Sequence, residues 1–258
     1  MPTAIDLFAG LGGWSTGARN AGINVIWAAN HWPVAVEWHS ANYPKTIHIC
    51  QDLHQADWSK VPAHDIMLAS PCCQGHSKAR GKKSGNAQHD ASRSTAWAVV
   101  SAVEFHRPEV VLVENVEEFT TWSLYPAWSQ AMTALGYMIA PHVVDCADLG
   151  VPQHRVRLFL VCTRSKAPLM LELHYGKGSG LTGRDINRPI GTITTLDRWA
   201  LVRGDQMRML SANEALAAMS FPADTKRLDN HRLTMHMAGN AVPPLAGQRI
   251  IEALIAAA

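Results

Sequence analysis

Two adjacent thiols, Cys72 and Cys73, sit in the run Ser70-Pro71-Cys72-Cys73-Gln74-Gly75-His76-Ser77, directly after the strand-like stretch Asp65 to Ala69. A thiol there stands at the carboxyl end of a strand, where open α/β sheets keep their chemistry, and Cys73 is the foremost candidate nucleophile. The segment that follows carries Lys78, Arg80, Lys82, Lys83 and Arg93 against one acid, Asp90, with glycines at 75, 81 and 85. It reads as a mobile basic loop from Gly75 to Ser94. A nucleophile beside such a loop points to a polyanionic substrate, although a solvated surface loop would have the same composition.

A carboxylate and two guanidinium groups extend this set. Val110 to Val113 leads into Glu114-Asn115-Val116, so an acid ends a strand that should be buried on both faces. Burial raises a carboxylate pKa and suits it to donate a proton; the other reading is a structural ion pair. Gln153-His154-Arg155-Val156-Arg157 precedes another apolar strand, and period-two alternation puts Gln153, Arg155 and Arg157 on one face. That spacing also suits arginines at an exposed edge.

The elements that must position these groups follow a βαβα rhythm. Short apolar runs occur at Ala4 to Phe8, Val25 to Ala28, Ile66 to Ala69, Val110 to Val113 and Leu158 to Cys162. Helical patterns lie between them at Trp14 to Asn20, Val34 to Asn42, Thr95 to Phe105 and Pro126 to Leu135, the last closed by Gly136. This order predicts a mostly parallel, doubly wound α/β sheet. The rhythm fails from about Arg164 to Asn187, where glycines alternate with basic residues, and this is read as an insertion. Helices resume at Ser211 to Met219, with Ser211 and Glu214 placed as a capping box, and from Leu245 to Ile255. The expected division is 1–163, 164–187 and 188–258.

The first strand runs into Ala9-Gly10-Leu11-Gly12-Gly13 and then a helix, a context fit for a nucleotide-like cofactor or for a merely tight turn. No Lys-Ser or Lys-Thr follows, which excludes a phosphate-binding P-loop. Asn30, about 20 positions further on, occupies the place of a ribose ligand. Asp52, after a third strand ending near Gln51, could meet an adenine amino group or simply cap a helix.

Composition sets the bounds. The chain has 258 residues, 47% of them hydrophobic, enough for one large α/β domain. A net charge of +2 means that nucleic-acid binding must be argued from local clusters. No basic-then-apolar leader and no run near the roughly 20 apolar residues of a membrane helix are present, so a cytosolic, membrane-free protein is expected. Cysteines at 50, 72, 73, 146 and 162 form no C-x-x-C pair, and the 13 histidines lack zinc spacing, which argues against disulfides and metal.

Taken together, the motifs resemble those of the DNA cytosine-5 methyltransferases. Asp6 to Gly13 looks like the family's S-adenosylmethionine motif and Pro71-Cys72-Cys73-Gln74 like its Pro-Pro-Cys-Gln nucleophile motif. Glu114-Asn115-Val116 and Gln153-x-Arg155-x-Arg157 match two more. Arg188-Pro189 with Thr192-Ile193-Thr194 resembles the ninth motif, and Gly239 to Pro244 the tenth. They occur in family order. Three departures stand out: Cys72 replaces the second proline, His76 replaces an aromatic, and Asn30 replaces an acidic ribose ligand. Spacing to Gln74 and Ser77 assigns the nucleophile to Cys73 and leaves Cys72 structural.

The resemblance implies a Rossmann-like methyltransferase fold and transfer of a methyl group from S-adenosylmethionine, leaving S-adenosylhomocysteine, to C5 of a flipped-out cytosine through a Cys73–C6 adduct. Glu114 would hold N3, Arg157 would bond O2, and Arg155 would steady Glu114 or the thiol region. Cofactor contacts would come from Asp6, Phe8, Ala9, Gly10, Leu11, Gly12 and Gly13 in the first turn. Asn30, His31, Asp52, Leu53, Pro71, Asn240, Ala241 and Val242 would supply the rest. Gln74, Ser77, Lys78, Arg80, Lys82, Lys83, Lys177 and Arg184, with His174, would meet duplex DNA. The short variable segment predicts a target of roughly two to four base pairs, since each read pair contributes about 1–3 kcal/mol. A monomer is expected, in a prokaryotic or phage setting, with a restriction endonuclease as a potential partner. Competing readings are an RNA (tRNA) cytosine-5 methyltransferase, a catalytically inactive DNA-binding protein, and another cofactor-using α/β enzyme such as a dehydrogenase.

Overall fold

The structure is a computed structural model that describes residues 1–72, 87–164, 189–195, 199–203, 206–227 and 229–256, with backbone alone for 87–94, 202, 203 and 206. Seven strands form one sheet: β1 (Thr3–Leu7), β2 (Asn24–Asn30), β3 (Ile47–Cys50), β4 (Ile66–Ala69), β5 (Val110–Asn115), β6 (Met138–Asp145) and β7 (Val156–Thr163). Their order is β3-β2-β1-β4-β5-β7-β6. β1 to β5 pair in parallel, whereas β7 runs antiparallel to both β5 and β6. This is the mostly parallel sheet that the alternating pattern predicts, in the Rossmann-like form that the resemblance implies.

Alternation along the central strands feeds two cores. Ile5, Leu7, Met67, Val111, Val113 and Leu160 point to the face covered by α3 (Ala87–His106) and α4 (Tyr125–Ala134). Ala4, Ile66, Leu68, Leu112, Phe159 and Val161 point to the face covered by α1 (Gly13–Asn20) and α7 (Pro244–Ala256). A third cluster joins α2 (Pro33–Asn42) through Trp38 to α5 (Ala212–Ala218) and α6 (His231–Asn240) through Leu216, Met235 and Met237. The C-terminal residues are thereby folded back onto the first helix of the chain.

Local chemistry accounts for several boundaries. Gly136, at φ 93°, follows the last turn of α4 and donates to Thr133 O while Tyr137 N–H reaches Met132 O, a Schellman stop. Ser211 caps α5 in a complete capping box with Glu214, which Arg208 also grips at 2.7 and 2.8 Å. Those bonds hold the Glu214 carboxyl down at about 2.

Three features depart from expectation. The chain is helical from Ala87, so the loop predicted through Ser94 ends earlier; no glycine or proline interrupts residues 87–106, and that polar first half lacks only the apolar stripe. β6 was not anticipated because an edge strand, half exposed and carrying Pro141 and His142, has no apolar run. A hairpin of β8 (Ala200–Arg203) and β9 (Gln206–Met209) was likewise missed.

Candidate active site

A cavity of about 300 Å³ opens at the carboxyl ends of β1, β2, β4 and β5. The connection order reverses between β1 and β4, which makes this the switch point where open α/β sheets bind ligands. Phe8, Gly10, Leu11, Gly13, Asn30 and His31 line one part. Pro71, Cys72, Glu114, Arg155, Arg157, Asn240, Ala241 and Val242 line another. Residues up to 236 positions apart in sequence meet here because α7 packs against α1.

The glycine turn is shaped for a ligand. Phe8 leaves β1 in the left-handed region at φ 63°, a strained conformation for a bulky residue. Gly12 follows at φ 81°, where a Cβ would also strike the Tyr43 ring. A Cβ on Gly13 would lie 1.9 Å from Val242 O, so the C-terminal segment can seal the turn only against glycine. At Gly10, by contrast, a Cβ would meet nothing within 4 Å. Protein packing does not demand that glycine, and the space beside it is left for a bound group. No side chain caps the N-terminus of α1, whose first residues Gly13 and Trp14 face the cavity; its amides suit a carboxylate such as that of an amino-acid moiety. The residues present therefore fit S-adenosylmethionine.

Asn30 lines the cavity, but its amide is already engaged: Nδ2 donates to Ala9 O at 3.0 Å and Oδ1 accepts from Trp32 N at 2.9 Å. It fastens the cofactor turn to the start of α2, and exposed His31 is the neighbouring side chain that faces the opening. Asp52 accepts from His54 N at 3.0 Å as the cap of a 3-10 turn, with Leu53 buried beneath it. Neither lines the cavity, nor do Ala9 and Gly12, which shape the turn from behind. Sequence reasoning passed over Trp14, Trp32, Ser70, His236 and Met237, all in the wall. Trp14 Nε1 donates to Ser70 Oγ at 3.0 Å, a contact between residues 56 apart that no local pattern announces.

The reactive end is built by β4, β5 and β7. Antiparallel register sets Glu114 beside the start of β7, and Arg157 Nε lies 3.2 Å from Glu114 Oε1, with both side chains mostly buried. Arg155, 1% exposed, faces the same way but donates to the carbonyls of Ile193, Gly239 and Ala241. Arg157 thus pairs with Glu114, and Arg155 ties the start of β7 to the C-terminal segment. Asn115 Nδ2 donates to Pro71 O at 3.1 Å, fixing the residue before the thiols against β5.

Cys72 is half buried in the cavity wall, its N–H donated to Thr95 Oγ1 at 3.0 Å. Cys73, Gln74, Ser77, Lys78, Arg80, Lys82, Lys83, His174, Lys177 and Arg184 lie outside the described residues. Burial pushes Cys146 and Cys162 up to about 12, which keeps both thiols protonated and inert. Among the described residues no group of three or more His, Cys, Asp or Glu side chains could hold a metal, and no helix is long and apolar enough to cross a membrane.

The fold and this cavity define a Rossmann-like methyltransferase architecture. Solved structures agree: the Spodoptera frugiperda DNMT2 mutant structure matches with TM-score 0.77 at 15% identity over 99% of this chain and 100% of that one. Entamoeba histolytica methyltransferase EhMeth matches with TM-score 0.75 at 14% identity over 99% and 98%. Residues 3–178 match the family model of the C-5 cytosine-specific DNA methylases, and the chain belongs to that family. It is 26% identical over 281 residues to the type II methyltransferase M.HgiDI of Herpetosiphon aurantiacus, covering 93% of this chain and 89% of the relative. It is 31% identical over 166 residues to M.HhaI of Haemophilus parahaemolyticus, over 62% and 49% of the two chains. Its activity is accordingly that of a DNA cytosine-5 methyltransferase.

Proposed function

We propose that the protein methylates cytosine at C5 in duplex DNA through a covalent adduct with Cys73, using S-adenosylmethionine held between the glycine turn and the 240–242 segment. One observation carries this reading: a single cavity joins the glycine turn to Cys72, Glu114 and Arg157. When bound, S-adenosylmethionine supplies an electrophilic methyl group on a sulfonium. The chain's own residues must do the remainder.

Cytosine C5 is a weak nucleophile until C6 is attacked. The Cys73 thiolate forms a bond to C6, and the C5–C6 π electrons move to C5, which can then take the methyl group. Glu114, positioned by Arg157, meets the N3 side of the ring and shares or donates its proton to N3 as negative charge develops there, taking it back when the thiolate leaves. Loss of the C5 proton to water re-forms the double bond and expels the thiolate. Such attack cannot reach a stacked base, so the nucleotide leaves the helix at a cost of a few kcal/mol. Lysines and arginines of the 75–94 segment supply a salt-dependent contact to phosphate.

The recognition segment is 164–187, between a catalytic part (1–163) and a completing part (188–258). So short a reader implies a target of roughly two to four base pairs. The protein works as a monomer, with a restriction endonuclease as the partner consistent with type II relatives. Transfer of labelled methyl from S-adenosylmethionine to duplex DNA, with 5-methylcytosine as product, tests the reading; label in tRNA alone would replace it with the RNA alternative. A methylation map with a strict target of six or more base pairs would overturn the short-target proposal.

A further inference from the structure

Beyond the last pair of the β1–β4 ladder, Leu7 with Ala69, the two chains part. Phe8 turns aside at φ 63° towards the glycine turn, while Ser70 begins the segment that leads to the thiols. Ser70 N–H still reaches Leu7 O, at 3.3 Å. From there side chains of three different elements hold the segment. Trp14 of α1 donates Nε1–H to Ser70 Oγ at 3.0 Å, Asn115 of β5 donates to Pro71 O at 3.1 Å, and Thr95 of α3 accepts from Cys72 N–H at 3.0 Å. The bonds take consecutive residues and end one position short of Cys73.

The Trp14 bond differs from the other two in what it joins. Trp14 is the second residue of α1 and lines the cavity together with Ser70, so its indole ties the thiol segment to the helix that follows the glycine turn. An indole N–H only donates, which makes the Ser70 hydroxyl the acceptor. The donor is held fast. The Trp14 ring is 2% exposed, meets Phe159 of β7 edge-on at 5.9 Å, and lies so close to Gly247 of α7 that a Cβ there would come within 3.1 Å of it. A ring wedged between β7 and α7 sets the place of Ser70 rather than following it.

The thiol attacks C6 and the methyl group goes to C5, adjacent atoms of one ring. The cofactor turn and the thiol segment must therefore keep their spacing for both bonds to form on one base, and a misplacement of about 1 Å costs on the order of 10²-fold in rate. We propose that Trp14 and Ser70 are a positioning pair for methyl transfer, their hydrogen bond holding the Cys73 segment in register with the cofactor helix. The inference rests on the Cys73 reading above. A buried indole N–H also needs an acceptor for stability alone, but the two roles separate in their effects. A merely structural bond changes Tm, whereas a positioning bond changes the rate of transfer by protein already saturated with cofactor.

The test is single-turnover methyl transfer to duplex DNA at saturating S-adenosylmethionine, with calorimetric Kd for the cofactor, on Trp14→Phe, Ser70→Ala and the double variant. Each single variant should slow transfer by about tenfold to 10²-fold with the cofactor Kd within about threefold of wild type. Because both remove the same bond, the double variant should be no more than about twofold slower than the slower single one. Should Trp14→Phe not fold, Ser70→Ala removes the bond from the other side and leaves the ring packing intact. An unchanged rate in Ser70→Ala would overturn this inference alone, as would single effects that multiply in the double variant, or a weakened Kd with an undiminished saturated rate. A wild-type protein that binds cofactor and DNA but forms its adduct at another side chain would overturn the Cys73 reading and the inference with it.

Discussion

Cys72 and Cys73 are neighbours, yet the proposed chemistry uses only one of them as nucleophile. Cys72 has its N–H tied to Thr95 and lies in the wall. Cys73→Ser should therefore reduce methyl transfer by at least about 10³-fold without altering the fold, whereas Cys72→Ser should retain transfer within about tenfold. A labelled-methyl assay on both variants checks this. Glu114→Gln removes the charged partner of Arg157 and the support for N3; a loss on the order of 10²-fold or more in turnover is expected, with cofactor affinity nearly unchanged. A large loss of cofactor binding instead would move Glu114 out of the chemistry.

At the scale of elements, Arg155 ties the start of β7 to the C-terminal segment. Its guanidinium satisfies carbonyls of Ile193, Gly239 and Ala241, so Arg155→Met leaves three buried acceptors short of donors. A destabilisation of about 2–4 kcal/mol is expected, visible as a lowered Tm, where Glu114→Gln should shift Tm little. The sequence pattern placed Gln153, Arg155 and Arg157 on one face, and the structure agrees. It could not tell the two arginines apart, because the partners of Arg155 come from 38 to 86 residues away. The same distinction governs the strands. β1, β2, β4 and β5 announce themselves as continuous apolar runs, being covered on both faces. β6 at the edge and the β8–β9 hairpin do not, since exposed residues such as Met138 and Met207 carry no periodic signal. Position suits Asn30 to a ligand role, and only the structure shows that one N–H and one lone pair of its amide also tie it to backbone groups at Ala9 and Trp32.

For the whole molecule, buried histidines set an acid limit. Burial lowers His64 to about 4, and His106, whose ring centroid is 4.7 Å away, is also lowered by burial. Both Nε2 atoms are buried with no hydrogen-bond partner among the described residues. The unfolded chain takes up a proton near pH 6.5, the folded one near pH 4. The stabilisation is complete above about pH 6.5 and is lost as pH falls towards 4, amounting to on the order of 3 kcal/mol for His64. Melting curves should show Tm falling over that interval, and His64→Phe should flatten the fall; a Tm that holds steady to pH 4.5 would contradict this.

The account stands most directly on where the sulfur–carbon bond forms. Incubating the protein and S-adenosylmethionine with duplex DNA containing 5-fluorocytosine blocks loss of the C5 substituent, and digestion with mass mapping locates the trapped peptide. The expected result is one adduct, carried by Cys73. A cross-link at Cys72 or any other side chain, or none in the presence of bound cofactor and DNA, would contradict it.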